Sequence, residues 1–261
     1  IAEHGTSRLL RWIPDELGED DLLAMLYNTE LQPFTVPQTP LELRVRLALA
    51  REMLRSAFEI ARPTWEASVT GAAQNGTMPL IDPILISGGG VVQAPRPGQA
   101  LLAVLDGLQP AGISTVLLDI NRAAPALGAV AGIKPVAAAS ALDAGTLASL
   151  GTVISPVGQG RPGETVLRMH IIYDNGGELD VEARYGEIEV WPLLTGQRAT
   201  LEIAPNRRFD VGLGPGQGGR VEVLGGLVGL VVDARGRPIA LPADRDQRRR
   251  ALNRWTWDVG G

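Results

Sequence analysis

The stretch Ile81-Asp-Pro-Ile-Leu-Ile-Ser-Gly-Gly-Gly-Val-Val92 decides the fold, because a short apolar run ends there in three consecutive glycines. Ile84, Leu85 and Ile86 show no polar alternation, so they predict a strand buried on both faces, as in a parallel sheet. Glycines at its carboxyl end let the backbone turn sharply and let another molecule approach closely. Ligands of open α/β sheets lie beyond the carboxyl ends of strands, so this stretch is a candidate small-molecule site. A tight strand-to-helix connection without a ligand is the alternative, since a glycine triplet is less specific than a full phosphate-loop motif.

A βαβ unit is predicted downstream of the triplet, with a helix over 99–108 and a strand over 114–119. Such a unit is parallel, so Asp119 should emerge at the same sheet edge as the glycines. One role for Asp119 there is to orient a ribose or a metal-bound water. Capping the next helix, predicted over 125–131, is the favoured interpretation. The small residues of that helix predict close packing against a neighbour through Gly128.

Residues 1–79 have the pattern of a helical segment. Thr39-Pro-Leu-Glu42 is a capping box that predicts a long helix ending at Pro63. A row of arginines on this helix, which we interpret as a solvated face rather than a docking surface, consists of Arg44, Arg51, Arg55 and Arg62. A polar connection is predicted over 64–79, and His4 lies too near the chain end to indicate a site.

After Gly163 the pattern changes to short strands separated by turns. They are predicted at 165–173, 179–183, 188–193, 199–203, 209–213, 221–224, 227–232 and 238–241. This spacing favours a separate domain with its own core, an antiparallel barrel or sandwich. His170 is interpreted as a packed or edge residue rather than a catalyst, and the glycine-rich run 212–219 as a hairpin loop. A last helix, 244–257, should pack back on the body.

Composition excludes several classes of site. The chain has no Cys, and His4 and His170 are its only histidines, which excludes thiolate and His-rich metal sites. A net charge of -5, with dispersed basic residues, argues against nucleic acid as a partner. No window approaches the roughly 18 apolar residues of a membrane span. We therefore expect a soluble, cytoplasmic protein and, since the chain begins with Ile1, a piece of a longer one.

Several motifs resemble the C-terminal half of the glutamate mutase accessory protein L family, over about Trp12 to Trp257. They are Thr39-Pro-Leu-Glu, Asp82-Pro-Ile-Leu-Ile-Ser-Gly-Gly-Gly90, Leu118-Asp119, Pro125-Ala-Leu-Gly128-Ala, Trp191-Pro-Leu and Val232-Asp-Ala-Arg-Gly-Arg-Pro238. That family looks like a branch of the actin, hexokinase and Hsp70 ATPase superfamily. By position, the superfamily's adenosine-binding motif corresponds to Ser87, Gly88, Gly89 and Gly90, with Asp119 beside it.

The resemblance implies an accessory protein that reactivates or chaperones adenosylcobalamin (B12)-dependent mutases, with a mutase subunit as its partner. It also implies ATP as the cofactor of the full-length protein. In the superfamily an Asp-x-Gly-Ser/Thr hairpin and a second Asp-Gly loop hold the triphosphate, and neither precedes the triplet here. We therefore expect no bound cofactor and no ATP hydrolysis from this chain alone.

The resulting prediction is an α+β fold in four parts. These are a helical segment 1–79, a partial α/β, actin-like nucleotide-binding subdomain 80–155, an antiparallel β domain 160–242 and a C-terminal helix 243–258. The alternative function is a non-catalytic protein-interaction module carried by the β domain. An independent hydrolase is disfavoured, because no nucleophile, base and acid can be grouped from the sequence.

The Asp233-Ala-Arg-Gly-Arg-Pro238 run is the most specific of these motifs, and its flanks predict a β-hairpin. A hairpin explains the aspartate, glycine and proline but not two arginines at its tip. We therefore predict that Arg235 or Arg237 pairs with a carboxylate. A partner inside the fold is favoured over one in another protein, because the chain is acidic overall.

Overall fold

The computed structural model describes residues 5–66, 78 and 80–261, which form a mixed α+β fold with two β-sheets. Three layers are stacked: helices, a five-stranded sheet and a four-stranded sheet. His4 and most of the predicted connection, 67–77 and 79, lie outside the described residues.

The amino-terminal helices are α1 Ser7–Leu10, α2 Glu19–Leu31 and α3 Pro40–Glu66. The predicted cap of α3 is present in part, since the Glu42 N–H donates to Thr39 Oγ1 at 3.2 Å. The Glu42 carboxylate accepts instead from the N–H of Gln38, at 2.6 Å, one residue before the capping threonine. The predicted end at Pro63 is wrong, because α3 continues for three more residues to Glu66.

Strand bounds are β1 Ile84–Ile86, β2 Gly112–Leu118, β3 Ala148–Ser155, β4 Thr165–Tyr173, β5 Glu178–Arg184, β6 Ile188–Trp191, β7 Arg198–Pro205, β8 Gly219–Leu224 and β9 Gly229–Asp233. The first sheet has the order β1-β2-β3-β9-β6, and the second has the order β5-β4-β7-β8. β1 and β2 are parallel, as predicted, and are joined through α4 Gly89–Val92 and α5 Pro97–Leu108. β3 and β9 are also parallel, whereas the other pairs are antiparallel.

β1 differs from its prediction as a strand buried on both faces. Ile84 and Ile86 are buried, but Leu85 between them is 46% exposed. The reason is that β1 is the edge strand of its sheet, and only its helix-facing side belongs to a hydrophobic cluster.

The prediction that the strands after Gly163 form a sheet of their own is wrong. β6 and β9 join the sheet that contains β1, and only β4, β5, β7 and β8 form the second, antiparallel sheet. Neither sheet closes into a barrel. Every residue of β9 is buried, so this strand requires cover on both faces, which a place in the middle layer provides.

Two hydrophobic cores lie on opposite faces of the five-stranded sheet. Val153 and Val231 point into the helix-side core, while Ile154, Leu230 and Val232 point into the core shared with the four-stranded sheet. This alternation follows from the two-residue period of a strand. The cores are therefore distinct, but the same strands build both.

Two predicted strands are absent from the structure. In 209–213 only an isolated bridge forms, between Val157 and Asp210. Residues 238–241 do not return as a hairpin arm; the chain turns at Gly236, where φ is +91°, and the Ile239 N–H donates to the side chain of Gln109.

The remaining helices are α6 Ala124–Ala131, α7 Pro135–Asp143 and α8 Arg245–Asp258. No residue of α6 is buried, and an added Cβ at Gly128 would meet no atom within 4 Å. The predicted close packing through Gly128 is therefore wrong. Leu252 and Trp255 of α8 are buried against the body, as predicted for the last helix.

Candidate functional site

The glycine loop and Asp119 meet at one edge of the five-stranded sheet, as the parallel pairing predicts. The Asp119 N–H donates to the Ile86 carbonyl at 2.9 Å, and Ser87 Oγ donates to Asp119 Oδ2 at 2.9 Å. Gly88 adopts φ +102°, a conformation that favours glycine, so the turn after β1 requires this residue.

Asp119 is bonded within the fold. Its carboxylate also accepts from the N–H groups of Ala123, at 2.8 Å, and Ala124, at 3.0 Å, at the start of α6. Burial opposes its ionisation, but the N–H groups of Ala124 and Ala123 and the Ser87 hydroxyl outweigh that effect, so the pKa of Asp119 lies below its ordinary value. This geometry agrees with the capping interpretation; a contact to a cofactor remains a prediction.

A cavity of about 460 Å³ lies beside the glycine loop, between α3, the segment before it, α5 and α8. Gly89 and Gly90 line it, whereas Ser87, Gly88 and Asp119 are not among its described lining residues. The predicted cofactor residues are therefore divided. Two glycines border the cavity, and Ser87 with Asp119 forms the hydrogen-bonded sheet edge.

The far wall of the cavity includes a buried ion pair that sequence reasoning missed. Arg51 Nε of α3 donates to Asp106 Oδ2 of α5 at 2.6 Å, and both side chains are almost fully buried. The expectation of a solvated face is thus wrong for Arg51. A signal was present in the sequence, since Asp106 is the only charged residue of α5 and stands in its apolar run 100–108.

Arg235 and Arg237 extend this ion pair into a buried cluster. Arg235 donates to Asp106 Oδ1 at 2.7 Å and, through two nitrogens, to both oxygens of Asp233 at 2.8 Å. Arg237 donates to Asp233 Oδ2 at 2.9 Å and to Ser155 Oγ at 3.0 Å. The predicted internal pairing of these arginines is confirmed, although the tip belongs to a turn and not to a hairpin.

Electrostatics in this cluster stabilise the charged forms. Burial alone would raise the pKa of Asp233, but Arg235 and Arg237 outweigh it and hold that pKa well below its usual range. The guanidinium of Arg235 also stacks over the ring of Trp255, with its central carbon 4.8 Å from the ring centroid. The cluster joins α3, α5 and the turn after β9.

His170 lies on the four-stranded sheet, with its side chain 30% exposed and Nδ1 2.8 Å from Asp180 Oδ1. The hydrogen bond to Asp180 raises its pKa above the ordinary value. β4, which carries it, is an inner strand, so His170 is part of the sheet surface rather than an edge residue.

Among the described residues, no group of three or more acidic or histidine side chains could hold a metal ion. None of the described helices is long and apolar enough to cross a bilayer.

A family model described as MutL protein matches residues 1–145, which is more than half of the chain. The matched part contains the glycine loop, Asp119 and the helices from α1 to α7. Asp233–Pro238 lies beyond it, so the specificity of that run for the family remains a prediction. No curated protein and no solved structure matches the chain.

Proposed function

Because the chain belongs to the MutL protein family, the glutamate mutase accessory proteins, we propose that it is part of an accessory protein that serves an adenosylcobalamin-dependent mutase. We further propose that Gly89 and Gly90 contact the adenosine of an adenine nucleotide. The nucleotide would hold the accessory protein in one conformation, and the mutase subunit would be its partner.

Gly90 is the observation that carries the nucleotide part of the proposal. An added Cβ at this position would meet no atom within 4 Å, and Gly90 is not among the glycines with positive φ. Glycine inside a helix costs about 1 kcal/mol relative to alanine, so the fold gains nothing from it in α4. Since Gly90 lines the cavity, the absence of a side chain leaves room there for a ligand.

The substitution Gly90→Leu tests the adenosine contact. It should not lower the melting temperature, because the space beside Gly90 is open, and it should abolish the binding of adenosine and AMP in isothermal titration. Gly128→Leu is the matched control: Gly128 is also helical and open, but it does not line the cavity. Equal nucleotide binding by wild type and Gly90→Leu would refute the assignment.

The affinity itself is also informative. The sequence holds no Asp-x-Gly-Ser/Thr motif before the glycines. We therefore expect this chain alone to bind a nucleotide more weakly than the roughly 8 kcal/mol of a micromolar complex, and to show no ATP hydrolysis above background. The partner is tested by sedimentation velocity with purified glutamate mutase, with and without its cobalamin. A complex that forms with a mutase subunit supports the accessory role, and the absence of any complex in both states contradicts it.

A further inference from the structure

The cavity beside Gly90 has a strongly positive lining. Among the described lining residues are four arginines and a single acidic side chain, namely Arg44, Arg46, Arg51, Arg96 and Asp106. A concave site lined by one sign of charge attracts ligands of the opposite sign, and low-dielectric walls strengthen that attraction.

Two of these arginines are engaged by carboxylates within the fold. Arg44 NH1 lies 2.6 Å from Asp15 Oδ1, and Arg51 Nε lies 2.6 Å from Asp106 Oδ2. Their charges are therefore largely compensated.

Arg46 and Arg96 differ from this pair. In the part of the chain that the structure describes, Arg46 donates to the hydroxyl of Thr35 at 2.9 Å and Arg96 to the main-chain oxygen of Gly261 at 3.0 Å. Neither described bond is to a side-chain carboxylate. Arg46 therefore keeps its charge and its further donors for an anion, whereas Arg96 already donates to Gly261, the last residue of the sequence, and offers only its remaining donors.

The buried ion cluster adds to the positive character of this wall. Among the described residues, the carboxylates paired with Arg51, Arg235 and Arg237 are those of Asp106 and Asp233, so these five side chains carry a net positive charge of one. Because this charge is buried next to the cavity, water screens it less than it would screen a surface charge.

The remaining wall is apolar and aromatic, with Trp12, Leu47, Leu102, Leu252 and Trp255 among its members. A small inorganic ion would leave these side chains without a partner. We propose that the cavity binds an organic anion, with its anionic group at Arg46 and Arg96 and its planar or apolar body against the tryptophan and leucine side chains. We use an adenine nucleotide as the organic anion that tests this site, and in that choice the inference rests on the proposed function.

The test compares adenosine with AMP by isothermal titration, in wild type and in the double variant Arg46→Gln/Arg96→Gln. Wild type should bind AMP about 10-fold more tightly than adenosine, because charge-assisted hydrogen bonds are the strong ones. The double variant should bind AMP only as tightly as adenosine, with adenosine binding unchanged. Arg55→Gln is the matched control, since Arg55 lies on the same helix, pairs with Glu59 and does not line the cavity.

Each outcome separates the inference from the proposed function. If AMP binds the double variant as well as wild type, the anion assignment is wrong while the nucleotide site stands. If wild type binds neither adenosine nor AMP, the nucleotide proposal fails, and phenyl phosphate, an organic anion with a planar body, then decides the anion site. A rise in melting temperature with millimolar phenyl phosphate in wild type but not in the double variant supports it, and an equal response in the two proteins overturns it.

Discussion

Asp233 holds two guanidinium groups that are both removed from solvent. Its carboxylate is fully buried and accepts from Arg235 and Arg237. The substitution Asp233→Asn keeps the shape but removes the charge, and of the described carboxylates it leaves only Asp106 paired with one of these two arginines. Breaking a buried pair from one side costs about 3–5 kcal/mol, so the free energy of unfolding in urea should fall by that amount.

The control for this prediction is Asp174→Asn, because Asp174 is exposed at the turn after β4. Surface substitutions of this kind change stability by no more than about 0.5 kcal/mol. A loss from Asp233→Asn as small as that of the control would mean that the cluster tolerates its missing charge, and the electrostatic account of the turn would be wrong.

The same carboxylate makes stability depend on pH. Its pKa in the folded protein is depressed, so the unfolded chain binds more protons at acid pH, and stability falls as the pH is lowered. The contribution is fully present well above the unfolded pKa of about 3.9 and is lost as the pH falls below it. Urea titrations from pH 6 downward should therefore show a shallower acid loss in Asp233→Asn than in wild type.

At the scale of the element, α3 and α5 show why a helix is easier to predict than the face it buries. The capping box and the apolar spacing predicted α3, and Pro97 with the apolar run after it predicted α5. Arg51 was assigned to solvent because it belongs to a row of arginines. It follows the buried Leu47 by four residues, however, and so lies on the buried face, where it pairs with Asp106 of α5.

The strands show the opposite limit. β9 reads Gly229-Leu-Val-Val-Asp233, so an apolar run like that of β1 precedes a buried aspartate, and β9 is the strand that is buried throughout. The short spacing between strands along the sequence had predicted that β9 belongs to a separate β domain. Such spacing indicates which segments are strands, but not which strand pairs with which in a sheet. Its parallel pairing with β3 joins residues 78 positions apart, such as Gly151 and Gly229, and such a contact has no local sequence signal.

For the candidate site, the sequence predicted that Asp119 lies at the same sheet edge as the glycines and that Arg235 or Arg237 pairs inside the fold. The first prediction follows because the strands of a βαβ unit end at the same edge of the sheet. The second follows because an arginine in a turn of an acidic chain is expected to pair with a carboxylate. The cavity could not be predicted, since its walls come from α3, α5 and α8, and their distance depends on packing across the whole helical layer. Which glycines of the triplet face that cavity is likewise a tertiary property.

At the scale of the whole molecule, the shared sheet determines how the protein should unfold. In β9, Val231 packs into the helix-side core, and its neighbours Leu230 and Val232 pack into the core next to the four-stranded sheet. β3 divides Val153 and Ile154 in the same way. Neither core can lose these strands without exposing the other, so the two cores should unfold together.

Urea unfolding measured with two local probes tests this coupling. Trp191 packs against the second core, so Trp65, Trp191 and Trp257 are first replaced by Phe. Fluorescence of the remaining buried Trp12 and Trp255 then reports on the helix-side layer, and amide exchange in β4 and β7 reports on the four-stranded sheet. We expect the two transitions to have one midpoint. The opposite result, a four-stranded sheet that keeps its protection after the tryptophan signal has changed, would mean that the second core is stable without β3 and β9. The variant Val231→Ala is a second test, because it removes side-chain volume only from the helix-side core. If the two cores unfold together, both midpoints should fall equally. The loss should correspond to about 1–3 kcal/mol, as for a buried valine.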